Sequence, residues 1–257
     1  MTTMSPRLSG KVAVVTGGGS GFGAEICRKF VEEGARVTVL DVNEKGGAEV
    51  AESITGGDKK QAQFVRCDVT RRDDVAAAVR RTLDAYGRLD VYVNNAGITH
   101  TNQPLLEIEE SWFERIFAVN VKAIFLSALE VVPIFRKQSG GVIINIASTA
   151  GVRPRPGLAV YNASKGAAIT LTKSLAIELA PDNIRVTAIN PVAGETPLLR
   201  EFMGEDTPER RAQFKSVIPL GRFSVPHDIA NVTAFLASDE AAFLTGVAIE
   251  VDGGRCI

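Results

Sequence analysis

The sequence predicts an open α/β fold, a doubly wound and mostly parallel sheet of seven strands with helices on both faces. Three observations predict it. Short β-branched runs alternate with longer segments of helical periodicity along the chain. Those runs are apolar at nearly every position, as strands covered on both sides must be. No Pro/Ser-rich linker, repeat or low-complexity tract interrupts the alternation, so residues 1–257 are expected to form one domain.

The elements follow in order. Residues 12–15, Val-Ala-Val-Val, predict the first strand, and 23–33 a helix with Ile26, Phe30 and Val31 on one face. A second strand is expected at 37–40, a helix at 44–53, an extended run at 63–66 and an amphipathic helix at 73–86. The fourth strand is 90–93. A long helical stretch covers 112–136 and leads into the strongly apolar strand 141–146. The helix 163–179 should stop before Pro181, whose ring breaks the helical ladder. Strand six is 185–189, followed by a helix at 226–236 and a last strand at 247–251. Residues 192–218 break this rhythm, being charged and punctuated by Pro and Gly just beyond strand six. Ligands of open α/β sheets bind outside the carboxyl ends of the strands, so this segment is placed to act as a lid.

Composition narrows the partners. With 45% hydrophobic and 23% charged residues the chain suits a globular protein, and 29 basic against 30 acidic residues leave a formal net charge of −1. That balance gives no electrostatic footprint for nucleic acid or an anionic membrane. Cys27, Cys67 and Cys256 are odd in number and far apart, which favours a reducing, cytoplasmic setting over a disulfide framework. His100 and His227 stand in no metal-ligand pattern, so no metal site is expected. Residues 1–8 contain no apolar stretch resembling a secretion signal. The uncharged run 138–152 is shorter than the roughly 20 apolar residues that span a bilayer.

Directly after the first strand comes Thr16-Gly-Gly-Gly-Ser-Gly-Phe-Gly23, opening a helix. A pyrophosphate has to approach backbone N–H groups closely at the positive end of a helix, and glycines permit both the tight turn and the approach. Gly17, Ser20, Gly21, Phe22 and Gly23 are therefore candidate dinucleotide contacts. Asp41 ends the second strand, where a carboxylate can hydrogen-bond the adenosine ribose hydroxyls and repel a 2′-phosphate. No Arg or Lys lies among residues 18–22 to compensate, so NAD is expected over NADP.

Tyr161-Asn-Ala-Ser-Lys165 supplies a proton-transfer pair. A tyrosine, with an unperturbed pKa of about 10, is a poor base at neutral pH. A lysine four residues later lies on the same helix face, and its ammonium favours the phenolate. Together with Ser148, Asn120, Asn94-Asn-Ala-Gly97 and the glycine loop, this element resembles the short-chain dehydrogenase/reductase family over essentially the whole chain.

The resemblance implies a single-domain Rossmann fold and an enzyme that moves hydride between a nicotinamide and an alcohol or carbonyl. Tyr161 would be its acid/base, Ser148 the group that orients the substrate oxygen, and Asn120 the holder of a water against Lys165. It further implies that Lys165 contacts the nicotinamide ribose, that Asp68 and Val69 meet the adenine, and that Asn95, Ala96 and Gly97 line the cofactor. Thr196 would bond the carboxamide. Where the family has Pro-Gly after strand six, this chain has Pro191-Val-Ala-Gly, a departure at Val192. Pairing through the helices at 112–136 and 163–179 and through the last strand implies a homotetramer.

Arg153 and Arg155 lie between Ser148 and Tyr161, near the expected pocket mouth, and suit a carboxylate, sulfonate or phosphate on the substrate. His100 and Glu195 could also face the pocket. Segments around 95–100, 147–153 and 194–198 are similar to a subgroup that includes formylbenzenesulfonate dehydrogenases. Two alternatives stand beside this reading. One is a reductase of 3-oxoacyl thioesters, against which Asp41 argues. The other is a non-catalytic dinucleotide-binding or sensing protein, against which the intact Ser148, Tyr161 and Lys165 argue.

Overall fold

The computed structural model describes residues 6–55 and 61–257. The first five of the residues 1–8 read above for a secretion signal lie outside the described residues. The chain alternates as expected through β1 (Val12–Thr16), α1 (Gly21–Glu32), β2 (Arg36–Asp41), α2 (Glu44–Thr55), β3 (Ala62–Arg66), α3 (Arg72–Tyr86) and β4 (Val91–Asn94). It continues through α4 (Glu110–Phe117), α5 (Ala123–Lys137), β5 (Gly141–Ile146), α6 (Ala159–Leu179) and β6 (Ile184–Pro191). The short helices α7 (Leu199–Met203) and α8 (Pro208–Lys215) precede α9 (Pro226–Ala237) and β7 (Ala248–Val251).

The seven strands form one sheet in the order β3-β2-β1-β4-β5-β6-β7. Every pairing is parallel, so the sheet is wholly rather than mostly so. The winding reverses between β1 and β4, which opens a crevice at their carboxyl ends.

Side-chain alternation divides the core into two layers. Ala13 and Val15 of β1 and Val142, Ile144 and Ile146 of β5 pack with Ile26 and Phe30 of α1 and Ile229 and Ala234 of α9. Val14 and Ile143 point the other way, toward Val75 and Val79 of α3 and Val131 and Phe135 of α5. This double coverage is why the strands read as continuous apolar runs. The three cysteines are free thiols.

Four features differ from expectation. The helix α6 begins at Ala159 rather than 163, so Tyr161 sits in its first turn. The stretch read as one helix at 112–136 is α4 and α5 joined by a single π-helical turn, Ala118–Lys122. That continuous run, Glu110–Lys137, is long and apolar enough by length and composition to cross a membrane. It is not an uncharged run, since Glu114, Arg115, Lys122, Glu130 and Arg136 interrupt it. Its apolar side, from Ile124 to Phe135, packs against the sheet and neighbouring helices. Finally, residues 192–218 hold their own apolar cluster of Val192, Leu199, Met203, Phe214 and Ile218 with Phe223.

That cluster explains the departure after β6. Val192 is buried among the apolar residues of the covering segment. The glycine stands two positions later, where a Cβ on Gly194 would lie 2.5 Å from the Phe22 ring and 2.7 Å from Ser224 Oγ.

Candidate active site

A cleft of about 460 Å³ runs along the carboxyl ends of the strands, beneath α7 and α8. The sequence-predicted residues Gly17, Ser20, Gly21, Phe22, Asp41, Asp68, Val69, Asn95, Ala96, Gly97, Ser148, Arg155, Tyr161, Lys165 and Thr196 all line it. Gly23, Asn120 and Arg153 do not.

The glycine turn is shaped for close approach. Gly17 has φ +62° and Gly21 φ +53°, in the region that L side chains rarely adopt. A Cβ on Gly23 would lie 2.1 Å from the Gly17 carbonyl oxygen, so the first turn of α1 can meet the loop only through a glycine. Asn95 faces the loop as a brace: Nδ2 donates to Thr16 O at 2.8 Å and Gly17 O at 3.1 Å. Thr16, which the sequence reading passed over, accepts at Oγ1 from the amides of Asn95 and Ala96 at 2.9 and 3.0 Å.

Asp41 has both oxygens engaged, Oδ2 accepting from Gly19 N and Oδ1 from Asn43 N, each at 2.9 Å. It braces the loop while keeping a carboxylate on the cleft wall. Asp68 Oδ1 accepts from Thr70 N and Oγ1, fixing the turn in which Val69 lies. A turn bracketed by positive-φ glycines, amides at a helix start and an elongated cleft fit a dinucleotide. Gly17, Ser20 and Gly21 would hold its pyrophosphate and Asp41 its ribose.

The proton-transfer residues converge at the other end. Lys165 Nζ donates to Ile146 O at 2.8 Å and lies 5.7 Å from the centre of the Tyr161 ring. Asn120 is held on three sides. Its Oδ1 accepts from Ile98 N at 2.9 Å, and its Nδ2 donates to Ile98 O and to Ser164 Oγ, both at 3.0 Å. Ser164 Oγ in turn donates to Tyr161 O at 2.7 Å, tying the asparagine to the start of α6. The π turn brings Asn120 to this position. Ser148 Oγ accepts from Ala150 N at 3.0 Å at the tip of β5.

Burial governs the charges. It pushes the Tyr161 phenol up to about 12, opposed by a hydrogen bond with Ser148. It pulls the Lys165 ammonium down to about 8. The lysine therefore carries its charge at neutral pH, but the protein fold alone does not make the tyrosine acidic. Desolvation outweighs the ammonium effect anticipated from the spacing of four.

Other candidates fall apart spatially. Arg153 Nη1 donates to the carbonyls of Arg255 and Ile257 at 2.7 and 3.3 Å, away from the cleft. Glu195 pairs with Arg211 at 3.1 Å on the covering segment. His100 is fully buried, with Nδ1 against Thr101 O at 2.9 Å, and does not line the cleft. Two groups escaped the sequence reading. Phe202 and Phe214 supply aromatic walls, the Phe202 ring lying 5.1 Å from that of Tyr161. Below the site, Asn94, Asn145, Thr172 and Ser127 form a buried hydrogen-bonded chain. The asparagine inside apolar β5 was the available signal for it.

The fold and this constellation define a dinucleotide-dependent oxidoreductase, with Tyr161 and Lys165 together on its cleft wall. A family model described as enoyl-(acyl carrier protein) reductase matches residues 17–255. The chain is 49% identical to 4-formylbenzenesulfonate dehydrogenase TsaC1/TsaC2 of Comamonas testosteroni, over 98% of this chain and all of that protein. It is 41% identical to the 3-oxoacyl-[acyl-carrier-protein] reductase FabG of Thermotoga maritima, with the same coverage. A crystal structure of 3-ketoacyl-(acyl-carrier-protein) reductase from Brucella melitensis complexed with NADH superposes with a TM-score of 0.91 at 46% identity, covering 97% of this chain and all of that one. The chain belongs to the short-chain dehydrogenase/reductase family, whose members bind a nicotinamide cofactor and act on alcohol or carbonyl groups.

Proposed function

We propose that the protein is an NAD-preferring dehydrogenase that interconverts a small alcohol with its aldehyde or ketone. The observation that carries the cofactor preference is the Asp41 carboxylate on the cleft wall, locked by Gly19 N and Asn43 N. A fixed negative charge there opposes a 2′-phosphate. The 49% identical relative, named for an aldehyde substrate, supports a free aldehyde or alcohol over an acyl thioester.

A nicotinamide held by Lys165 and Thr196 would supply the hydride acceptor and, when oxidised, a positive charge. Ser148 donates to the substrate oxygen and fixes its position. Tyr161 removes the hydroxyl proton in oxidation and returns it in reduction. Lys165 offsets the charge that develops on the phenolate, and Asn120, one glycine away from Lys165 at Gly97, keeps open a path for protons to solvent. Asp68, Val69 and Thr196 complete the cofactor wall, and residues 192–218 close over the substrate. The working form is a cytoplasmic homotetramer.

The cofactor assignment is tested by kinetics with both dinucleotides. Wild-type protein should favour NADH over NADPH in kcat/KM by at least tenfold, and Asp41→Ala should cut that ratio several-fold. A clear NADPH preference in wild-type protein refutes it.

A further inference from the structure

Several arginines among the described residues pair with a carboxylate. On and beside the covering segment, Arg211 bonds Asp206 and Glu195, and Arg222 bonds Asp228. Arg155 is an exception. It lines the cleft, its guanidinium carbon 4.5 Å above the centre of the Phe214 ring, and its Nη2 is buried with no hydrogen-bond partner among the described residues. No carboxylate pairs with it among those residues. Burial lowers its pKa to about 10, and the positive charges of Arg255 and Arg153 add to that against an opposing effect of Cys256. Arg255 is itself only 8% exposed, with Nε and Nη1 buried and unpartnered among the described residues.

A largely desolvated guanidinium with a buried donor unanswered and no carboxylate beside it is a poor structural element. It is a good receptor for a planar or tripodal oxyanion, which the fork meets with paired N–H donors. Arg153 does not compete for that role, since its Nη1 is given to Arg255 O and Ile257 O. The same cleft is lined by the apolar residues Leu158, Phe202 and Phe214, Phe214 lying against Arg155 and Phe202 against Tyr161.

We propose that the substrate carries a permanent carboxylate or sulfonate on an apolar body, with the anion received by Arg155 and the reacting oxygen by Ser148 and Tyr161. This rests on the dehydrogenase reading above and names the class of molecule that the same cleft takes. Anion binding then reaches the covering segment directly, because the Arg155 guanidinium is stacked on Phe214 of α8.

Calorimetry on the full chain with saturating NADH tests it, using benzenesulfonate and its uncharged counterpart benzenesulfonamide. Wild-type protein should bind the sulfonate at least tenfold more tightly. Arg155→Met should reduce that ratio below threefold, Arg155→Lys should retain part of it, and Arg153→Ala should leave it at the wild-type value. Equal affinities in wild-type protein, or a preference that survives Arg155→Met, overturn the proposal. The wild-type comparison stands even if Arg155→Met does not fold. Turnover of benzaldehyde by NADH is measured separately. Its absence, together with absence of 4-carboxybenzaldehyde turnover, refutes the dehydrogenase reading while the binding ratio still decides the role of Arg155.

Discussion

Burial and reactivity pull in opposite directions at Tyr161. Its phenol is pushed up to about 12 and the neighbouring lysine down to about 8, so the pair is tuned for protein interior before it is tuned for chemistry. On the proposed mechanism, the developing charge is met by the lysine and the bound cofactor together. Tyr161→Phe should therefore lower kcat by about 10²–10⁴-fold while NADH affinity, read by fluorescence titration, stays within twofold. Carbonyl reduction should fall above about pH 8, as the Lys165 ammonium is lost. A rate flat from pH 7 to 9.5 would exclude that lysine as the titrating group. Tyr161, Lys165 and Ser148 were legible in the sequence because four-residue spacing and strand ends constrain them. Thr16 and Ser164 were not, because Thr16 serves backbone amides and Ser164 the Asn120 side chain across the fold, which leaves no spacing to read.

At the scale of elements, the end of α1 shows how a helix is anchored. Glu33 accepts from Arg7 Nη2 at 2.7 Å and Arg7 N at 3.1 Å, and pairs with Lys29 at 3.0 Å. These partners hold its carboxyl down to about 2 from 4.5. A depressed folded-state pKa means that the stabilisation is complete above pH 4.5 and lost as pH falls through about 2. Glu33→Gln should cost about 1–3 kcal/mol at pH 7 in urea unfolding, and the gap to wild type should narrow below pH 4. Element boundaries were the weakest part of the sequence reading. The expected start of α6 at 163 lies four residues late, the helix beginning at Ala159. The π turn was invisible, since one surplus residue hardly disturbs apolar periodicity over a run of this length.

For the whole molecule, the sheet was readable almost strand by strand, because parallel strands buried on both faces leave runs such as Val-Ala-Val-Val that have few other uses. What could not be read was the inner packing of residues 192–218, whose apolar side chains follow no period. The outer surface adds a further expectation. Phe113, Phe125 and Leu129 are 45%, 51% and 37% exposed on α4 and α5. If four chains associate through them, light scattering after size exclusion gives four times the chain mass, and Phe125→Glu reduces it to two or one. A wild-type monomer would refute the tetramer.

The wide turn at 118–122 has a consequence for engineering by subtraction. A π bulge absorbs one residue in place, so the helices on either side keep their faces toward the sheet. Excising Val121 should let them merge into one ordinary helix, with the melting temperature little changed and cofactor still bound. Catalysis should collapse, because the amide that Ile98 and Ser164 now grip would swing out of register. A folded, silent protein would then be reached by shortening the chain, with every group that meets substrate left intact.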